Sequence, residues 1–182
     1  MIDFKKPSVM YACLLVLFSS LAAIFASKAL LPPVIWWTLA LLAFAWLVFE
    51  YALTRETASL KKAFLMGLFL MAFDFVFENS GTFFGLWKSS HSLFPVLTVP
   101  VEVMLVCLFG GAAWYMYLPK KFVPLHSAAD ILLFAFFGAL GEIVLIGHGM
   151  MAYYGWWTSY HAFLAYGITW VVLHFARYKV IR

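Results

Sequence analysis

The segment Ala63-Phe64-Leu65-Met66-Gly67-Leu68-Phe69-Leu70-Met71-Ala72-Phe73-Asp74-Phe75-Val76-Phe77-Glu78-Asn79-Ser80-Gly81-Thr82-Phe83-Phe84-Gly85 contains two charged residues, Asp74 and Glu78, and is bracketed by Lys61 and Lys62 before it and Lys88 after it. A run of about 20 mostly apolar residues is what a helix needs to cross roughly 30 Å of hydrocarbon. Comparable runs recur along the 182-residue chain. Composition points the same way: 66% of residues are hydrophobic and 11% are charged, whereas roughly a quarter are charged in a soluble domain. Mean hydropathy is +0.97. An ordinary soluble domain is excluded, and the reading is an all-α, polytopic membrane protein.

Working outward, the apolar runs predict six spans at about 9–28, 33–53, 63–85, 100–118, 128–153 and 158–177, in a single transmembrane domain covering 1–182. Pro32 and Pro33, Pro100, Pro119 and Pro124 punctuate the boundaries, as expected of a residue tolerated mainly in the first helical turn. The first run is longer than the apolar core of a secretory signal, so it is read as a helix. Lys5, Lys6, Arg55, Lys61, Lys62, Lys120, Lys121, Arg177, Lys179 and Arg182 then all fall on one side, which predicts cytoplasmic termini. The expected location is a prokaryotic inner (cell) membrane. Trp36, Trp37, Trp87, Trp156 and Trp157 gather near the opposite interface. The net charge of +4 is spread in pairs at span ends and forms no stripe, so no nucleic-acid partner is expected. Cys13 and Cys107 sit among aliphatic neighbours and read as small hydrophobes.

Offset by about 70 residues, Phe83-Phe84-Gly85-Leu86-Trp87-Lys88-Ser89-Ser90-His91 aligns with Tyr153-Tyr154-Gly155-Trp156-Trp157-Thr158-Ser159-Tyr160-His161. Gly, Trp, Ser and His coincide, which suggests an internal repeat relating helices three and four to five and six. Two aromatic interface girdles that merely look alike are the plainer alternative.

The ionisable groups inside the spans carry the functional reading. Asp74 and Glu78 are one turn apart on one helix face, with Gly81 and Gly85 continuing the stripe. At 1.5 Å per residue they lie about 18 and 24 Å from Lys62. Glu142 and His148 lie about 18 and 27 Å from Asp130, among Gly138, Gly141, Gly147 and Gly149, which suit close helix packing. Acids at such depth are costly and are expected to face the bundle interior. Glu102, in Pro100-Val101-Glu102, reads equally as a first-turn acid favoured by the helix dipole and as part of a site. Glu50, His126, Asp130 and His174 read as interfacial groups.

A carboxylic acid in an apolar pocket can hold and then give up a proton, and aromatic faces stabilise a cation. Protonating an alkene in a lipophilic isoprenoid requires both. The candidate catalytic residues are therefore Asp74, Glu78, Glu102, Glu142 and His148. Asn79, Phe84, Trp87, Tyr153, Trp157 and His161 are the candidate substrate-binding residues. No metal site and no cofactor are expected. The expected partners are a lipophilic small molecule and membrane lipid, and the lipid-facing sides also allow a homo-oligomer.

The layout from Asp74 to Glu102, with Gly81, Gly85, Trp87, a short loop and then Pro100-Val101-Glu102 opening the next helix, resembles the integral-membrane lycopene cyclases and carotenoid hydratases of carotenoid biosynthesis. The likeness covers about 30 residues. Those cyclases carry Pro-x-Glu-Glu where this chain has Val103 in place of the second glutamate. The resemblance implies a polyene substrate, with Glu102, Asp74 and Glu78 at its acidic positions and Trp87 lining the polyene channel. The expected function is cyclisation, hydration or isomerisation of a carotenoid- or sterol-like isoprenoid. Alternatives are a small proton-coupled transporter, a lipid-binding or accessory membrane subunit and, with no supporting His spacing, a metal or haem protein.

Overall fold

Pro32 lacks an N–H and has a fixed φ, so it costs nothing in a first turn, and it opens α1 (Pro32–Thr54) in the computed structural model, which describes residues 31–181. The expected span at 9–28, and Cys13 with it, lies outside the described residues. α1 ends where Arg55 turns left-handed at φ 51° and returns its N–H to the Tyr51 carbonyl at 2.7 Å. α2 (Thr57–Phe83) follows at once. It starts before the expected 63, so Lys61 and Lys62 lie within the helix. α3 spans Val101–Tyr117, α4 Pro124–Gly147 and α5 Ser159–Phe175, and a π-helical turn, Ala176–Val180, follows α5.

The chain is mostly helical but not all-α. Short strands β1 (Trp87–Ser89) and β4 (Met151–Tyr153) pair antiparallel with Trp87 opposite Tyr153, while β2 (Pro95–Val96) pairs with β3 (Val99–Pro100). The fifth expected span, 128–153, is therefore too long. Its helix stops at Gly147, Gly149 turns left-handed at φ 70°, and residues 151–153 leave as β4. Likewise Gly85 does not continue the α2 stripe, since the helix ends at Phe83 and Gly85 sits in a turn at φ 65°.

The fold gives the internal repeat no support. Gly85 and Gly155 share a left-handed φ, yet the strand follows the first glycine and precedes the second. Residues Trp87–Ser89 of the first segment pair with Met151–Tyr153, which reach the second segment only at Tyr153, so the two do not play equivalent parts.

α3 packs against α1 and α2, and α4 against α5. Lys120 Nζ lies 2.7 Å from Glu56, and the Tyr178 hydroxyl donates to the Pro119 carbonyl at 3.1 Å. These contacts bring the α1–α2 turn, the α3–α4 link and the C-terminal turn to one end of the bundle. The start of α1 with Trp36, strand β1 with Trp87 and the segment carrying Trp157 meet at the other end. The distribution of polarity is inverted relative to a water-soluble protein. Leu41, Val76, Leu132 and Ile168 are each more than 60% exposed, while Glu102 and Asp130 are fully buried. α1 and α4 are long and apolar enough to cross a membrane, and only 22% and 17% of their most apolar stretches are buried within the protein. A core helix of a soluble domain would be mostly covered.

Candidate active site: an aromatic cavity holding three acids

Between α1–α3 on one side and α4–α5 on the other lies a cavity of about 400 Å³, within the range of small-molecule sites. It is elongated. Its lining on α3 runs from Val103 to Trp114, roughly 16 Å at the helical rise. Asp74 and Glu78 on α2 and Glu142 on α4 all line it. The four-residue spacing delivers the first two to one helix face, and the packing of α4 brings the third to meet them.

The acids have different surroundings. Glu78 Oε2 accepts from Trp87 Nε1 at 3.1 Å and from Ser89 Oγ at 3.4 Å. Trp87 and Ser89 are alternate residues of β1 and so share a face. Trp87 can lie against α2 only because position 81 has no side chain: a Cβ there would fall 2.0 Å from its ring. Glu142 accepts from the Tyr153 hydroxyl on β4, with the Tyr166 hydroxyl of α5 also bonded to it. Asp74 neighbours the Cys107 thiol, and its Oδ2 is buried with no hydrogen-bond partner.

Aromatic rings stand at both ends. At the acid end, Trp87 and Trp157 meet with centroids 4.5 Å apart, and Phe77 lies 5.0 Å from Trp87. Trp36 joins them, its indole donating to the Ser90 carbonyl at 3.0 Å. At the other end stand Trp46, Phe134, Trp170 and Trp114.

Of the eleven residues expected at the site, Asp74, Glu78, Glu142, Trp87 and Trp157 line the cavity, and Tyr153 reaches it through Glu142. The other five do not. Glu102 is fully buried in the first turn of α3 and accepts from Ser92 Oγ at 2.6 Å. His148 lies beyond the end of α4 as its C-cap, because the helix stops one residue earlier. Asn79 faces the β2–β3 hairpin, its Oδ1 accepting from Thr98 Oγ1 at 2.8 Å. Phe84 is 70% exposed against Phe83. His161 bonds Thr158 at 2.9 Å and stacks behind Trp157. His91 is exposed in its loop.

Sequence reasoning also missed a second buried cluster. Asp130 and His174 are buried inside the protein: Asp130 Oδ2 accepts from Trp114 Nε1 at 2.8 Å and faces His174 Nε2 at 2.9 Å, all three residues being buried. The available signal was depth counted from the wrong reference. α4 begins at Pro124, so Asp130 is already two turns inside it. Among the described residues, no group of three or more His, Cys, Asp or Glu side chains is placed to hold a metal ion.

Comparison of the chain with protein-family models, curated proteins and solved structures finds no match. The class defined by the fold and cavity is a helical, apolar-surfaced protein with an acid-bearing, aromatic-lined cavity between its helices.

Proposed function

We propose that the protein is an integral-membrane enzyme that protonates a carbon–carbon double bond of a lipophilic isoprenoid, carotenoid- or sterol-like. Its resemblance to the membrane lycopene cyclases and carotenoid hydratases, read from the sequence alone, agrees with this. The observation that carries the reading is the meeting of Asp74, Glu78 and Glu142 in one aromatic-lined cavity.

Asp74 is the acid, because its Oδ2 is buried beside the cavity with no hydrogen-bond partner. The π electrons of the alkene take its proton, a C–H bond forms, and the neighbouring carbon becomes cationic. Trp87, Trp157 and Phe77 offer ring faces to that cation, an attraction of about 2 kcal/mol or more when water is excluded. The cation is then quenched by loss of a proton to a carboxylate: from an adjacent C–H directly, from a C–H beside the new cation once a second double bond has attacked the first, or, in a hydration, from the water that has added. Glu78 and Glu142 already face the cavity as acceptors, and either takes that proton before Asp74 is recharged.

The proposal includes the arrangement in the membrane: six spans, both termini cytoplasmic and the acid end of the cavity in the far half of a prokaryotic cell membrane. The inverted surface supports it, as does the gathering of Glu56, Lys120 and Tyr178 at one end.

The test is mass spectrometry of lipid extracted with the purified protein, followed by assay of the identified lipid with Asp74→Asn. A polyene or sterol that stays bound to the variant while its conversion stops is the expected result. Undiminished conversion by Asp74→Asn removes the proposed acid, and proton-driven uptake into proteoliposomes with no chemical change favours a transporter.

A further inference from the structure

Two tryptophans at the end of the cavity remote from the acids are each tied to a buried carboxylate. Trp46 Nε1 donates to Glu50 Oε1 at 3.1 Å, one turn along α1. Trp114 Nε1 on α3 donates to Asp130 Oδ2 on α4 at 2.8 Å, and the same oxygen meets His174 Nε2 of α5 at 2.9 Å. Trp114 is fully buried. It stacks on Trp170, with ring planes 4° apart and centroids 5.4 Å apart, and both residues line the cavity. Phe134 meets Trp170 edge-on at 4.6 Å and stacks with Trp46 at 6.4 Å. The cavity floor is thus an aromatic wall in which one buried ring, Trp114, is held by a side-chain network joining three helices.

An apolar core alone could pack these rings, and burying a carboxylate is costly unless it is well partnered. What Asp130 adds is direction. An indole has a single N–H, so one acceptor fixes the rotation of the Trp114 ring, and the parallel stack passes that orientation to Trp170.

We propose that Asp130 and His174 are positioning residues that fix the cavity floor through Trp114, and so set how long a lipophilic chain can enter with its reactive end at Asp74. The proposal rests on the reading of the cavity as a lipid-chain site. Neither residue touches the chain. Freed of its acceptor, the Trp114 ring can rotate, Trp170 loses its stacking partner, and the floor yields to a longer chain.

The experiment uses the full chain in detergent with parinaric acid, a polyene that quenches tryptophan emission, and measures its displacement by geraniol, farnesol and geranylgeraniol. Wild type is expected to prefer one length sharply, because one methylene in a fitted apolar site is worth about tenfold. Trp114→Phe keeps the ring and loses the N–H, and Asp130→Leu removes the acceptor; each is expected to shift the preference toward the next longer alcohol by about tenfold in relative affinity. Asp130→Asn retains an acceptor oxygen and is expected to keep the wild-type profile. If Asp130→Leu does not fold, Trp114→Phe decides alone. A length profile unchanged in Trp114→Phe overturns the positioning role and leaves the lipid site standing. Failure of wild type to bind parinaric acid, or of every alcohol to displace it, overturns the lipid site and the positioning role together.

Discussion

Trp87 on β1 and Trp157 in the loop before α5 meet with ring centroids 4.5 Å apart and line the cavity at its acid end, Trp87 also donating to Glu78 at 3.1 Å. One ring thus lines the cavity and holds a carboxylate.

Those two roles separate in Trp87→Phe, which retains an aromatic face and loses the donor. The net loss of stability is expected to be about 1 kcal/mol, that of one hydrogen bond. Turnover is expected to fall about tenfold if Glu78 must be held in place to accept a proton. Product formation and thermal unfolding in detergent measure the two effects, and unchanged turnover would show that the orientation of Glu78 is immaterial.

Gly81→Ala should do from behind what Trp87→Phe does from the front. Its Cβ would lie 2.0 Å from the Trp87 ring, so the ring must leave both Glu78 and Trp157. Overpacking of this kind costs typically about 1–3 kcal/mol. A shift of tryptophan emission toward the wavelength of hydrated indole is the expected signature, and an unaltered spectrum with full activity counts against the packing described.

A similar clash tests the opposite wall. At Gly138 a Cβ would meet the Tyr166 ring at 2.7 Å, and Tyr166 is bonded to Glu142. Gly138→Ala is therefore expected to lower melting temperature and turnover together. Tyr166→Phe, which keeps the ring, should lower turnover with a smaller change in stability. Equal stability losses in the two variants would contradict the clash.

Membrane topology is open to a direct check. Cysteine placed at exposed Lys88 should react with an impermeant maleimide in intact cells, whereas cysteine at exposed Lys121 should react only after lysis. The reverse pattern would invert the proposed orientation, and labelling of both sites from one face would break the alternation of spans.

The ion pair between Lys120 and Glu56 provides a contrast. Although its atoms are 2.7 Å apart, the side chains are 79% and 42% exposed, and such pairs contribute about 0–1 kcal/mol. Lys120→Ala is expected to leave activity unchanged and to shift unfolding by less than about 0.5 kcal/mol. A larger loss would mean that the pair holds the α1–α2 turn and the α3–α4 link together.

Asp74, Glu78, Glu142, Trp87 and Trp157, singled out from the sequence, do line one cavity, because each signal is local. An acid within an apolar run must face inward, and a four-residue spacing puts two of them on one face. Glu102 met the same criterion and went elsewhere, since inward-facing says nothing about which interior space is faced. His148 failed through a boundary: in 128–153 the apolar character outlasts the helix, and hydropathy does not register the turn at Gly149. Asp130 and His174 were missed because depth along the chain was counted from a charged residue that is itself buried.

Sequence by itself determined the helical runs, their apolar surfaces, the clustering of basic residues and the presence of acids within the runs, all set by the periodicity and composition of contiguous residues. Tertiary structure decided the pairing of β1 with β4, which acids share a cavity, and the joining of Trp114 to Asp130 and His174. These depend on how helices distant in sequence rotate and approach, and the approach is governed by small residues and ring shapes at the contacts, which no single run of sequence encodes.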